Sequence, residues 1–268
     1  MRKFLLGTAG LFALSMVTPV SAADLAARPY TKAPPPMVAA IYDWSGFYIG
    51  ANAGYGWSHR CLDVTAINGL GVVDAEGCRN ASGGVAGGQI GYRWQSANWV
   101  FGVEAQGDWA NLRNSNASLF FPGDTWTTKT NALGLFTGQV GYAWNNVLWY
   151  VKGGAAVTDD KYRGTVSLNV PAVAAFAGSV FDDVRETRWG GVVGTGIEFG
   201  FAPNWSVAVE YDHLFMGNRD VSFISRGVLA PLTFPAGSVF RTVSISQDVD
   251  MITARINYRF GGPGLTQY

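Results

Sequence analysis

The chain has 268 residues, of which 14% are charged, 14% are aromatic and 35 are glycine. Its 19 basic and 19 acidic residues balance, so the charge gives no support for nucleic-acid binding, which needs a basic face. So little charge beside so much Gly, Trp and Tyr fits a helical cytosolic enzyme poorly and suits a many-stranded protein whose surface is not wholly aqueous.

Residues 1–22 read as a secretory signal: Arg2 and Lys3, an apolar run from Phe4 to Val17, then small residues ending at Ala22. The run is shorter than the roughly 20 apolar residues of a spanning helix. Without Arg2 and Lys3 the chain keeps 17 basic against 19 acidic residues. Residues 23–45 carry the run Pro34-Pro35-Pro36 and no strand alternation, and are expected to form a periplasmic tether.

From Gly46 a period-2 alternation begins and recurs to Phe260. It falls into eight stretches, roughly 46–58, 82–94, 98–110, 131–144, 148–158, 188–201, 205–214 and 249–260. The gaps at 59–81, 111–130, 159–187 and 215–248 are long, and those near 95–97, 145–147 and 202–204 are tight turns. The hairpin GQIGYRWQSANWVFG at 88–102 returns as GQVGYAWNNVLWYVK at 138–152. No later segment is apolar for long enough to span as a helix, and hydrocarbon does not tolerate open sheet edges. The pattern therefore predicts an all-β fold: an eight-stranded antiparallel transmembrane β-barrel of outer-membrane type over 46–260. Four long extracellular loops, three short periplasmic turns, periplasmic termini and a C-terminal tail at 261–268 complete it.

One face of the stretches is apolar. Tyr92, Trp94, Trp99, Tyr142, Trp144, Trp149, Trp205, Tyr258 and Phe260 cluster near the tight turns; Trp57, Trp109 and Trp189 lie near the long gaps, with Val, Ile, Ala and Gly between. The opposite face collects Arg93, Glu104, Lys152, Glu198, Glu210, Arg255 and Arg259, with Asp108, Arg188 and Asp212. The interior of an eight-stranded barrel is just wide enough for ordinary side chains and cannot hold so many rings, so the rings face lipid as two interfacial belts. The ionic face lines the lumen. Depth counted from the tight turns predicts ion pairs Lys152–Glu198 and Glu210–Arg255 between neighbouring strands, and a lumen closed by polar contacts rather than an open pore.

Cys61 and Cys78 share the first long gap, and two cysteines in an exported chain are expected to form a disulfide. Only His59 accompanies them, so no metal site is expected. The sole other histidine, His213, adjoins Asp212, but strand neighbours point to opposite faces. Spacing thus supports no catalytic constellation and no cofactor site, and the chain is expected not to be an enzyme.

The stretches SGFYIGANAGYGW at 45–57, ARPYTKAPPP at 27–36 and ARINYRF at 254–260 resemble the small outer-membrane immunogenic, or porin-family, surface proteins of alphaproteobacteria. The similarity covers nearly all of the chain after the signal. It implies a barrel resembling the membrane domain of OmpA in the Gram-negative outer membrane. Its implied partners are the barrel assembly machinery, outer-membrane lipid, lipopolysaccharide and, through the loops, a host or ligand. Barrels of this kind usually stop on a terminal aromatic, whereas here Phe260 is followed by GGPGLTQY; Phe260 and Tyr268 both stand as assembly signals. The expected role is structural, in envelope integrity or surface contact. A small passive porin is the alternative, and a lipid-modifying enzyme sited at the rim is a third.

Overall fold

A computed structural model describes residues 42–67, 69–117, 124–166, 180–225 and 235–260. The expected signal, the tether as far as residue 41 and the tail at 261–268 lie outside the described residues. Eight strands run in chain order: β1 (Gly46–Ile67), β2 (Leu70–Ser96), β3 (Trp99–Ala117), β4 (Asp124–Trp144), β5 (Val147–Val166), β6 (Val180–Ala202), β7 (Trp205–Ile224) and β8 (Val239–Phe260). Each pairs antiparallel with its sequence neighbours, and β1 closes onto β8 from Phe47 opposite Phe260 to Ile67 opposite Arg241. Closure leaves no strand edge open, the condition for a sheet in lipid.

The aromatic face is the outside. Trp94, Trp99, Trp109, Trp144, Trp149 and Trp189 are all exposed, while Glu104, Lys152, Glu198, Glu210 and Arg255 are at most 5% exposed. The belts are evenly spaced. Phe47 and Trp57, Trp99 and Trp109, Trp189 and Phe199, and Trp205 and Phe215 are each ten residues apart on one strand. At about 3.3 Å per residue and a tilt near 40° that is roughly 25 Å of height, the thickness of the apolar band of such barrels.

The four long gaps differ from expectation. They are mostly strand, not loop: β1 reaches Ile67 and β2 begins at Leu70, and β3 to β8 likewise extend well past the outer belt. Strands of 19 to 27 residues stand roughly 50–70 Å tall by the same geometry, so about half of the wall rises beyond the membrane. The lipid-type alternation ends there because the outward face meets water and turns polar, while apolar residues such as Leu62, Val64 and Ile245 move to the inward face beside charged ones. Cys61 and Cys78 are direct cross-strand partners in this raised wall, 4.0 Å apart at Cα and joined as a disulfide.

The tether also ends earlier than expected. Residues 42–45 fold onto the short-turn mouth: Trp44 is 2% exposed, its backbone N–H donates to Gln95 Oε1 at 2.8 Å, and Arg259 donates to the Ser45 carbonyl at 2.9 Å. Tyr42 packs where a Cβ on Gly200 would stand, 2.4 Å from its ring. Glycine at that inward position makes room for the phenol.

The interior is layered. Trp44, Val100, Ala143, Leu148 and Tyr150 fill the short-turn end. Above the ionic residues, Leu112, Leu133, Leu135, Leu214, Val249 and Met251 belong to an apolar layer with Val85, Ala156, Val192 and Met216. Higher still, Leu62, Val64, Trp126, Tyr162, Phe223 and Ile245 form another.

Two outcomes follow. Ala97, at the β2–β3 turn, has φ 51°, and Asn145, at the matching turn of the repeated hairpin, has φ 54°. Left-handed backbone costs alanine about 1 kcal/mol and asparagine less, so Ala97→Asn should raise unfolding stability by about 0.5–1 kcal/mol in urea titration. Reducing Cys61–Cys78 should leave the midpoint of the membrane-embedded wall unchanged while speeding proteolysis within residues 61–78, because the closed loop lies beyond the lipid.

Candidate functional site

The ionic residues of β2, β3, β5, β6, β7 and β8 converge on the axis of the barrel. Arg255 bridges Glu104 on β3, at 2.5 Å, and Glu210 on β7. Lys152 on β5 reaches Glu210 at 2.6 Å, Asp212 at 3.1 Å and Glu104 at 3.7 Å. Two tyrosines tie this cluster together. Tyr48 donates to Glu104 at 2.6 Å, and Tyr150 donates to Glu210 at 2.5 Å. Each phenol lies over an inward glycine directly opposite, Gly91 and Gly196, where a Cβ would stand 2.5 Å from the tyrosine oxygen. The glycines are what let a ring lie across so narrow a bore.

A second centre lies nearer the short-turn mouth. Arg93 on β2 pairs with Glu198 on β6 at 2.9 Å, sits 4.5 Å from the Tyr48 ring centroid and donates to Gln139 at 3.2 Å. Gln139 in turn donates to the Tyr48 hydroxyl at 3.0 Å, linking the two centres. Asn257 donates to Glu198 at 2.9 Å, and Ser206 also donates to it. Asn52, Gln89 and Asn257 form a chain of side-chain hydrogen bonds behind them, at 3.0 and 2.8 Å. Arg259 closes the mouth, near Asp43 at 3.5 Å and over the Tyr42 ring.

The expected pair Glu210–Arg255 meets. The expected pair Lys152–Glu198 does not: Lys152 lies opposite Gly194 on β6, and Glu198 lies opposite Leu148. Depth counted from each hairpin's own turn is not depth in the barrel. The first residue of β5, Val147, already faces Phe199, because shear staggers successive hairpins along the axis. Contact also spans the bore, so a partner need not sit on a neighbouring strand.

The sequence reading passed over Tyr48 and Tyr150, although both stand on the ionic parity of their strands, an aromatic out of place among charges. A third ionic level inside the raised wall joins Arg188, expected on the inner face, to Arg60, Asp160 and Arg241, which lie in the gaps read as loops. There Arg60 pairs with Asp160 at 2.8 Å, and Arg188 donates to Gln247 at 3.1 Å and to the Ile245 carbonyl at 2.8 Å. Arg241 lies 3.8 Å from the Trp126 ring centroid.

The outward face is not wholly free of acid. Asp250 points outward at the long-hairpin rim, accepting from Tyr211 at 2.6 Å and lying 2.7 Å from His213 Nδ1. Among the described residues no serine, threonine or cysteine is hydrogen-bonded to this histidine. His59, Cys61 and Cys78 are the one cluster with metal-ligand spacing among the described residues, but the disulfide consumes both sulfurs. Beyond the span, Arg185 donates to Asp159 at 2.7 and 2.8 Å, and these hydrogen bonds hold that carboxyl below its ordinary range.

Closed sheet, outward belts and inward ions together define a membrane barrel, and residues 11–230 match the outer membrane protein beta-barrel domain. The chain belongs to that family. It is an outer-membrane protein. The chain is 27% identical to the 31 kDa outer-membrane immunogenic protein of Brucella melitensis over 70% of its own length and 78% of the relative's. Among solved structures it is similar to the outer membrane protein OprG of Pseudomonas aeruginosa, with a TM-score of 0.49, 12% identity and coverage of 81% and 97%. It is also similar to the outer membrane protease OmpT of Escherichia coli, with a TM-score of 0.47, 10% identity and coverage of 80% and 97%.

Cutting Arg255 to Met leaves buried Glu104 and Glu210 sharing one cation, Lys152. We expect Arg255→Met to cost about 3–5 kcal/mol of unfolding free energy, and Glu210→Gln with Arg255→Met to cost less than the two changes summed. A double-mutant cycle by urea titration in detergent checks both; additive effects would contradict the observed contact.

Proposed function

We propose that this outer-membrane barrel is a closed, non-enzymatic surface protein. Its termini and tight turns lie in the periplasm and its raised hairpins stand outside the cell, with a structural role in the envelope and in surface contact. The observation that carries the reading is the apolar layer of Leu112, Leu133, Leu135, Leu214, Val249 and Met251 across the bore, every one of them at most 3% exposed. An ion passing it would shed its water with no polar group to replace it. The ionic cluster below and the Trp44 plug support the same conclusion, since both fill the lumen with side chains held by several partners.

The non-enzymatic reading is supported by the Tyr211–His213–Asp250 group, which points away from every internal recess. The raised hairpins offer the surface for contact, and the relative's printed description as immunogenic favours exposure of such a surface in this chain too.

Refolded protein in a planar bilayer should give no stepwise conductance, while showing the heat-modifiable gel migration of a folded barrel. Discrete steps from the wild type would replace the closed barrel with a diffusion pore. Steps that arise only in Leu135→Gly/Met251→Gly would identify the apolar layer as the seal.

A further inference from the structure

The outward rim above the second aromatic belt is divided by charge. On one side, β3 to β6 carry Arg113, Lys129, Lys161 and Arg185 in one unbroken register row. Arg113 lies opposite Lys129, Lys129 opposite Lys161, and Lys161 opposite Arg185. Arg163 stands two residues further along β5 on the same face. Two carboxylates answer these five cations: Asp159 pairs with Arg185 at 2.7 Å, and Asp183 with Arg163 at 3.2 Å and Lys161 at 3.8 Å. Among the described residues, Arg113 and Lys129 make no ion pair. On the other side, β8 and β1 present Asp248, Asp250 and Asp63 with His59.

Like charges directly opposite one another on adjacent strands repel. Asp159 and Asp183 relieve the Lys161–Arg185 end of the row, and the Arg113–Lys129 end is relieved by an anion from outside. The height of the row identifies where that anion sits. Arg113 is four residues beyond the belt residue Trp109, and Arg185 is four residues beyond Trp189. Four residues along a tilted strand rise roughly 10 Å, which is the level of lipid headgroups above an interfacial tryptophan belt.

We propose that the Arg113–Lys129–Lys161–Arg185 row binds the phosphorylated glycolipid of the outer leaflet, lipopolysaccharide. Arg113 and Lys129 take its phosphate oxygens because their charges are not already met by carboxylates. Arginine offers a planar fork of donors and lysine a compact charge, the combination that suits a phosphate lying along a wall. A lipid headgroup is favoured over a soluble polyanion because both ends of the row, Arg113 and Arg185, stand only four residues beyond a tryptophan of the belt instead of at the hairpin tips. The site rests on the proposed outward orientation of the hairpins but not on closure of the lumen.

The test uses the refolded full barrel in neutral detergent, titrated with fluorescent lipopolysaccharide and with the same glycolipid after phosphatase treatment. The wild type should prefer the phosphorylated form about tenfold or more at low salt, and the preference should shrink as salt rises. Arg113→Gln/Lys129→Gln should lose it, whereas Arg219→Gln, at an exposed arginine of β7, should keep it. A second readout reverses sign. Without lipopolysaccharide the double variant should melt higher than wild type, because repulsion is relieved; with lipopolysaccharide it should melt lower. Since detergent leaves both faces of the barrel accessible, failure here does not touch the conductance result, nor the reverse. Equal affinity of wild type and double variant for phosphorylated glycolipid, or equal affinity of wild type for both glycolipids, would overturn the proposal. So would tight binding of a soluble sulfated glycan beside no binding of lipopolysaccharide, which would give the row to a polyanion above the membrane.

Discussion

An eight-stranded cylinder in lipid leaves its side chains two destinations, hydrocarbon outside or a bore inside just wide enough for side chains to fill. Every other feature of this protein answers to that confinement. Rings too bulky for the bore go outward, where lipid receives them and the interfaces hold Trp and Tyr in two belts. Ionised groups go inward, and once buried each must find an opposite charge or a hydrogen bond. The bore is narrow enough for Arg93 on β2 to reach Glu198 on β6 and for Arg255 to join β3 to β7.

Filling the bore takes more than charge. Polar and apolar layers alternate along the axis, from the Trp44 plug through the Arg255 cluster, the Leu135–Met251 layer and the Arg60–Asp160 level to the Trp126–Phe223 cluster. Each polar layer is thus sandwiched between apolar ones that exclude water and strengthen its electrostatics. Inward glycines beneath Tyr48 and Tyr150 serve the same end, trading side-chain volume on one strand for a ring from its neighbour. The result reads as a pillar more than as a pipe, and the interest of the molecule moves to its outer surface.

There the described strands rise far above the lipid, and a cross-strand disulfide stiffens the first hairpin. The outward charges are sorted, with basic residues on β3 to β6 and acidic residues on β8 and β1. Sorting of this kind costs stability in an isolated sheet and is useful only against a charged surface, so the rim and the leaflet around it are best understood together.

Much of this was legible in the linear chain. Period-2 alternation and the absence of any spanning helix established the strand class. The Tyr92-Trp94-Trp99 and Tyr142-Trp144-Trp149 repeat marked hairpins and belts, and the parity of Arg93, Glu104, Lys152, Glu198, Glu210, Arg255 and Arg259 placed them inside. These properties are local: a side chain's face depends only on its place in its own strand. Which carboxylate meets which cation is not local, because it depends on shear and on reach across the bore, and so Lys152 met Glu210 and Asp212 instead of Glu198. The height of the wall was hidden for a related reason, since above the lipid the outward face turns polar and the apolar positions move inward among charged ones, which reverses and blurs the alternation seen in lipid. The row from Arg113 to Arg185 draws on four separate strands, and only the register between neighbours aligned it. Sequence alone decided what faces lipid and what does not; tertiary structure decided who meets whom, because register in a closed, tilted sheet is set by the whole ring at once.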